Sequence, residues 1–204
     1  MSEIQVNTIN EYTGANGVTI DGVLLKDGLV DGKDVSSLTS AGLVLVDSHS
    51  FSTQTSISRD NVFTSTYNNY LIQLNLSAVS AQGQVRLRLR ASSSDNSSSN
   101  YNVIQRYSNY STATFTSSNE GGNPVTSFFF GYNGTTVLGN VQANIINPQS
   151  SEYTQINGNY QFVGTDGGDL MGSMTVATAY DGFTIFPVSG NISGEIYVYG
   201  YSEG

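Results

Sequence analysis

Three arginines occupy alternate positions of one short stretch, Arg86, Arg88 and Arg90, with aliphatic residues between them. This alternation predicts a half-buried β-strand whose polar face carries three guanidinium groups, each about 7 Å from the next. Such a row could bind an anionic glycan or an acidic partner surface. The alternative is pairing with Asp or Glu across the sheet or between subunits. We favour this alternative because like charges on one strand require nearby countercharge.

Three tyrosines, Tyr101, Tyr107 and Tyr110, form a second group of residues suited to binding. Asn and Ser are frequent around them, and the low-complexity stretch 92–100 predicts a solvated loop. Aromatic rings can cover the C–H faces of sugars while short polar side chains bond the hydroxyls, and the same residue types form adaptable protein-binding surfaces. The competing interpretation is half-buried strand tyrosines with hydrated hydroxyls. Together with the arginines, these tyrosines are the predicted glycan or partner face.

The residues available for nucleophilic catalysis are few. His49 is the only histidine, and Asp47 and Ser48 precede it directly. Residues this close along a strand cannot adopt the geometry of a catalytic triad, and we expect Asp47 to pair with His49 at the surface. Two glycosidase carboxylates could converge from distant positions, but the chain is short and indicates no aromatic-walled acidic cleft. We therefore predict no catalytic residues and no enzyme activity.

Acidic residues suggest a cation site only weakly. The aspartates before residue 35 do not match the spacing of a calcium-binding helix–loop–helix motif, which requires alternate oxygen ligands and a distal Glu. The segment Asp166-Gly167-Gly168-Asp169 is typical of a turn. Zinc is disfavoured because there is one histidine and no cysteine. We predict no metal and no cofactor.

Composition and charge exclude several classes of partner. The 204 residues carry a net charge of -9, with only seven Lys and Arg, so nucleic-acid binding is not expected. The first ten residues show neither a basic region nor an apolar core, so no signal peptide is expected. No apolar run is long enough to predict membrane insertion.

The alternation of apolar and polar residues from residue 43 onward predicts an all-β fold. Short alternating runs are separated by turns at intervals of about eight to twelve residues, as in sandwiches and barrels. The predicted strands include Leu43–Val46, Tyr70–Leu76, Val85–Arg90, Tyr101–Tyr107, Thr112–Phe115, Ser127–Tyr132, Val141–Ile146, Tyr153–Val163, Gly168–Ala179, Gly182–Phe186 and Gly194–Tyr201. There are too many strands for an immunoglobulin domain, and its Cys and Trp residues are missing. We predict a jelly-roll-like β-sandwich head over residues 43–204.

The first 42 residues are predicted to form an extended arm. Asp-Gly and Asn-Gly pairs, which suit tight hairpin turns, recur at residues 16–17, 21–22, 27–28 and 31–32. Asp34 is expected to cap one helical turn after the last of these pairs. The apolar residues between the turns are Val18, Ile20, Val23, Leu24, Leu25, Leu29 and Val30. Such short runs cannot bury themselves within one chain, so we predict that they contact other copies or a partner surface.

Several stretches resemble tailed-phage fibre and structural proteins. The segment GVTIDGVLLKDG, residues 17–28, resembles their N-terminal repeat. Residues 67–72, Arg86–Arg90, the Ser/Asn stretch and Tyr101 resemble their β-rich body, and the closing GNISGEIYVYGY, residues 190–201, resembles their end. The resemblance covers most of the chain and implies a virion protein without catalytic residues.

The resemblance leaves two locations on the phage particle open for this chain. In the first, the chain is a homotrimeric fibre or adhesion module, held to the particle by its arm, whose head contacts host-surface glycans. In the second, it is a capsid decoration, or cement, protein that stabilises the shell. A polysaccharide-degrading enzyme is a remote third alternative. The expected partners are further copies of the chain, other virion proteins of tail or capsid, and a glycan.

Overall fold

The computed structural model describes residues 18–20, 23–26, 29–30, 33–34, 42–119, 124–133, 139–162 and 166–202, the first four ranges by their backbone. The chain divides into two compact units between Ala41 and Gly42. No helix occurs among the described residues, and so none of them forms a helix that could cross a membrane.

The first unit contains a four-stranded antiparallel sheet of very short strands. The strands are β1 (Val18–Ile20), β2 (Val23–Lys26), β3 (Leu29–Val30) and β4 (Lys33–Asp34), paired in chain order. The register places Leu25 opposite both Val18 and Val30. The predicted sequence of short β-segments is confirmed here. Asp34 ends a strand, and the predicted helical turn after it lies outside the described residues.

The predicted role of the arm in assembly remains a prediction. It concerns the side chains of Val18, Ile20, Val23, Leu24, Leu25, Leu29 and Val30, for which the structure gives only strand positions.

The second unit is a sandwich of an eight-stranded and a five-stranded antiparallel sheet. The larger sheet has the order β11-β10-β15-β14-β13-β7-β17-β5. Its strands are β5 (Gly42–Gln54), β7 (Asn69–Val79), β10 (Tyr101–Asn109), β11 (Phe115–Ser118), β13 (Gly139–Ile146), β14 (Tyr153–Phe162), β15 (Asp166–Ala177) and β17 (Ile192–Ser202). The all-β prediction is confirmed, whereas the jelly-roll topology remains a prediction.

The smaller sheet covers the larger one and completes the core. Its order is β12-β8-β16-β6, with the short β9 also paired to β8. Its strands are β6 (Ile57–Arg59), β8 (Gly83–Ala91), β9 (Ser94–Asp95), β12 (Phe128–Asn133) and β16 (Gly182–Pro187).

Alternation along the strands decides which side chains form the core. In β7 every second residue from Tyr70 to Leu76 is buried, and in β8 the same holds from Val85 to Leu89. Strand side chains point alternately to the two faces, so each strand offers an apolar face to the core and a polar face outward. The outward face of the eight-stranded sheet is therefore set by the residues between the core positions.

One predicted strand is wrong. Residues 110–112 form a turn, residues 113 and 114 have no regular structure, and β11 begins at Phe115, where the predicted strand ends. The side chain of Asn109 accepts hydrogen bonds from the backbone and hydroxyl of Ser111, and Ala113 adopts a left-handed φ of 51°. An Asn that caps its own turn in this way ends the preceding strand, β10.

The Ser/Asn stretch is also more ordered than a solvated loop. It turns tightly through Ser92 and Ser93, both at positive φ, and pairs back on β8 through β9. Asn96 then donates from Nδ2 to the Tyr180 hydroxyl at 2.8 Å.

Candidate functional site

Arg90 is held by acidic neighbours, as the structural alternative for the arginine row predicted. Its Nε donates to Oδ1 of Asp60 at 2.7 Å, and its Nη1 contacts Asp95 and the hydroxyl of Thr184. Burial opposes the charge of Arg90, but hydrogen bonding to Asp60 and the charges of Asp95 and Asp60 raise its pKa. The side chain is only 12% exposed. It ties β8, β9 and β16 together and is not an open anion-binding group.

Arg86 and Arg88 lie on the same face as Arg90 and also have neighbours. The guanidinium carbon of Arg88 lies 4.7 Å from the centre of the Phe186 ring, and its Nε donates to the carbonyl oxygen of Thr126 at 3.1 Å. Arg86 donates to the side-chain oxygen of Gln84. The cation–π contact and the hydrogen bonds fix both side chains along the sheet.

The prediction that Tyr101 belongs to a binding face is wrong. Its side chain is 0% exposed, and its ring packs edge-on against Phe128 at 4.8 Å. The hydroxyl donates to the carbonyl oxygen of Asn96 at 2.7 Å and accepts from the backbone N–H of Leu89 at 3.1 Å. Burial raises the pKa of this phenol. Tyr101 therefore connects β10 of one sheet with β8 of the other inside the core.

Tyr107 and Tyr110 do not form a common surface. Tyr107 is half-buried on the inner face near the end of β10, whereas Tyr110 is 57% exposed in the turn after it. The hydroxyl of Tyr110 lies over Gly167, where an added Cβ would be 2.8 Å away.

The outward face of the eight-stranded sheet carries a field of uncharged amide side chains. The strand registers align Gln73 with Gln142 and Asn159, and they align Asn75 with Asn140 and Gln161. These two adjacent rows lie across β7, β13 and β14, at the centre of the sheet.

A groove of about 280 Å³ runs over this field. We call it the amide groove. It is lined by Gln73, Asn75, Asn140, Val141, Gln142, Asn159 and Gln161. None of these described residues carries a charge. Each amide offers both a carbonyl acceptor and two N–H donors, so the groove can bind ligands rich in hydroxyl groups.

Tyrosines of β17 border the amides on one side. Tyr197 of β17 lies directly opposite Gln73 of β7 in the strand register. The hydroxyl of Tyr201 donates a hydrogen bond to Oδ1 of Asn144 at 2.6 Å. The hydroxyl of Tyr197 donates to the Glu195 carboxylate at 2.8 Å, and this hydrogen bond raises the Tyr197 pKa. On the far side, Arg106 and Asp169 form an exposed ion pair at 2.7 Å. The groove thus has aromatic neighbours on one side and a neutralised charge pair on the other.

A second cavity of about 220 Å³ lies at one end of the sandwich. We call it the tyrosine pocket. It is lined by Gln82, Tyr107, Tyr132, Tyr160 and Asp166. The register places Gly168 of β15 between Tyr107 of β10 and Tyr160 of β14, so a position without a side chain separates two aromatic residues.

Asp47 and His49, the residues considered for catalysis, contact other side chains and not each other. Asp47 forms two hydrogen bonds with Arg59, both at 2.7 Å, which corrects the expected pairing with His49. These bonds raise the pKa of Arg59. The ring of His49 lies 6.4 Å from that of Phe51. Within the described residues no three His, Asp or Glu side chains are grouped as metal ligands.

The amide groove was not predicted from residue patterns, although the sequence carries a signal for it. Gln and Asn alternate with buried residues in β7, β13 and β14, as in Asn157-Gly158-Asn159-Tyr160-Gln161. β13 and β14 are consecutive strands, but the position of β7 beside β13 follows only from the sheet order, which residue patterns do not specify.

Comparison of the chain with protein-family models, with curated proteins and with solved structures finds no match.

Proposed function

We propose that this chain is a non-enzymatic adhesion protein of a tailed-phage particle. In this account the arm, residues 1–42, assembles a homotrimer and attaches it to other virion proteins, while the head binds a neutral glycan of the host surface. The observation that carries the glycan proposal is the amide groove, in which six uncharged amides from three strands face outward together.

The chemistry of the amide groove favours a neutral glycan over other ligands. Paired sugar hydroxyls both donate and accept hydrogen bonds, and so do Asn and Gln side chains. Three adjacent strands span about 10 Å between the outer two, which suits one or two sugar rings. The carboxylate of Glu195 aligns with Asn75, and the whole chain carries a charge of -9, so an acidic glycan would be repelled.

A single shallow groove of this kind binds weakly, and several copies on one particle compensate for that. Linking identical sites raises the overall avidity by about 10²–10⁴ when the geometry permits simultaneous binding. The resemblance of the arm to phage fibre proteins supplies the virion context and the preference for a trimer.

A glycan array probed with the full-length chain tests this proposal. We expect binding to neutral glycans, and we expect Gln142→Ala combined with Asn159→Ala to abolish it. Gln54→Ala is the matched control, because Gln54 is an exposed amide of the same sheet outside the groove. Retention of binding by the double variant would reject the amide groove as the site. Cleavage of the bound glycan would reject a non-enzymatic role.

Immunogold labelling of particles tests the location. Gold at the tail tip agrees with an adhesion module, whereas uniform labelling of the shell would contradict it and favour the decoration role.

A further inference from the structure

The tyrosine pocket is separate from the amide groove and is lined by the inner face of the same sheet together with Tyr132 of β12 and Gln82. Tyr107, Gly168 and Tyr160 lie in one cross-strand row of β10, β15 and β14. Two strand spacings place the Cα atoms of the two tyrosines about 10 Å apart. A Cβ on Gly168 would overlap the backbone of β10 at Arg106 and Tyr107, so this position requires glycine.

Two of the three tyrosines of the pocket, Tyr132 and Tyr160, are positioned by a shared aromatic neighbour. The ring of Phe129 lies 5.2 Å from that of Tyr160, nearly perpendicular at 70°, and 5.6 Å from that of Tyr132. Phe129 is fully buried, so both contacts are anchored in the core. Gln84 donates to the Tyr132 hydroxyl at 3.4 Å. The rings of Tyr132 and Tyr160 are therefore held in place by the core, and a ligand need not order them.

The charge of the pocket is negative. Asp166 lies two residues before Gly168 on the same strand and so faces the same side of the sheet. Its Oδ1 accepts from Nδ2 of Asn109 at 3.0 Å, which fixes the carboxylate. None of the described residues that line the pocket is Lys or Arg.

We propose that the tyrosine pocket binds a quaternary ammonium group, such as a choline headgroup. Aromatic rings attract cations through their negative faces, and a recurring arrangement for methylated ammonium ions is a cage of aromatic side chains. Asp166 adds an opposite charge at the rim, and the acidic chain as a whole attracts cations. The methyl groups contact the aromatic side chains of the lining, which a metal ion with its water ligands would not do. The site is independent of the glycan proposal.

Titration of the full-length chain with choline, followed by calorimetry or by NMR of the tyrosine resonances, tests this site. The control ligand is 3,3-dimethyl-1-butanol, which has the same shape without the charge. We expect choline to bind and the neutral alcohol to bind at least tenfold more weakly. Equal binding of the two, or no choline binding at millimolar concentration, would overturn the proposal. Binding of calcium in preference to choline would overturn it as well.

Two variants assign the binding to the pocket. Asp166→Asn preserves the shape and the bond from Asn109, and we expect about tenfold weaker choline binding because one partly screened charge is lost. Tyr107→Leu is expected to abolish binding. Tyr153→Leu, at an exposed tyrosine elsewhere on β14, is the matched control and should bind choline normally. Unchanged affinity in Asp166→Asn and Tyr107→Leu would place choline elsewhere and reject the pocket.

Discussion

The hydroxyl of Tyr201 donates a hydrogen bond of 2.6 Å to Oδ1 of Asn144. Nδ2 of Asn144 donates in turn to Oδ1 of Asn157 at 3.0 Å. These two hydrogen bonds link β17 to β14 through Asn144 of β13, beside the amide groove. They fix the orientation of the Asn144 and Asn157 amides. Asn144 and Asn157 form the cross-strand row next to that of Gln142 and Asn159, and we expect their fixed orientation to favour binding, because rotation of amides during binding costs free energy.

Tyr201→Phe is expected to weaken glycan binding about threefold while leaving the free energy of unfolding within about 0.5 kcal/mol of the parent value. The hydroxyl is at the surface, so its loss frees the Asn144 amide without leaving a buried polar group unpaired. Glycan titration together with urea unfolding measures both quantities. Tyr197→Phe is the companion variant, because its hydroxyl bonds Glu195 and not an amide. Equal glycan affinities for parent and Tyr201→Phe would show that the bond to Asn144 has no part in binding.

Tyr101→Phe is expected to lower the free energy of unfolding by about 1–3 kcal/mol. The ring still fills the core, but the N–H of Leu89 and the carbonyl of Asn96 each lose a hydrogen-bond partner. Chemical denaturation measures the change. Tyr110→Phe, at an exposed tyrosine, should be neutral. A neutral effect of Tyr101→Phe would mean that the two bonds across the sandwich add nothing to stability.

Tyr101 is also expected to make the free energy of unfolding depend on pH in the alkaline range. Burial raises the Tyr101 pKa, so the folded protein keeps a proton that the unfolded chain releases near pH 10. The stabilisation is complete below about pH 10 and is lost as the pH rises toward the folded pKa. In this range we expect the parent to lose up to about 1.4 kcal/mol more per pH unit than Tyr101→Phe. Parallel pH profiles of the two proteins would contradict the linkage.

Arg90→Gln is expected to lower the free energy of unfolding by about 2 kcal/mol, since Asp60 and Asp95 then remain partly buried without their cation. Arg106→Gln is the matched control. That arginine is 59% exposed in its pair with Asp169, and exposed ion pairs contribute about 0–1 kcal/mol. Urea unfolding is expected to show a clearly larger loss in the free energy of unfolding for Arg90→Gln than for Arg106→Gln. Similar small losses would indicate that the cluster around Arg90 is no stronger than a surface pair.

Ile20→Asp and Leu24→Asp are expected to abolish assembly while the head remains folded. A carboxylate in a shared apolar interface costs several kcal/mol, which is comparable with the stability of a domain. Light scattering of the full-length chain gives the oligomeric state, and circular dichroism confirms the sheets. Thr19→Asp, at the neighbouring polar position of β1, is the control for Ile20→Asp. An oligomer unchanged in both apolar variants would reject the arm as the assembly element.

Local patterns predicted the strands better than they predicted the site. The alternation in residues 70–76 and 85–90 leads directly to β7 and β8, because burial of one face has period two. Tyr101 shows the limit of such reasoning, since nothing in its sequence neighbours distinguishes a core tyrosine bonded to Leu89 from a surface one. The amide groove and the tyrosine pocket depend on which strands are neighbours. Gln73 and Gln142, or Tyr107 and Tyr160, meet only because of pairings between strands that are far apart along the chain, β7 with β13 and β10 with β15.

Isothermal titration of the full-length chain with a neutral glycan selected on the array tests whether the amide groove recognises glycans. The parent and Gln54→Ala are expected to bind the glycan with equal affinity. The double variant Gln142→Ala with Asn159→Ala is expected to give no heat of binding while its unfolding curve is unchanged. Equal glycan affinity of all three proteins would contradict recognition through the amide groove.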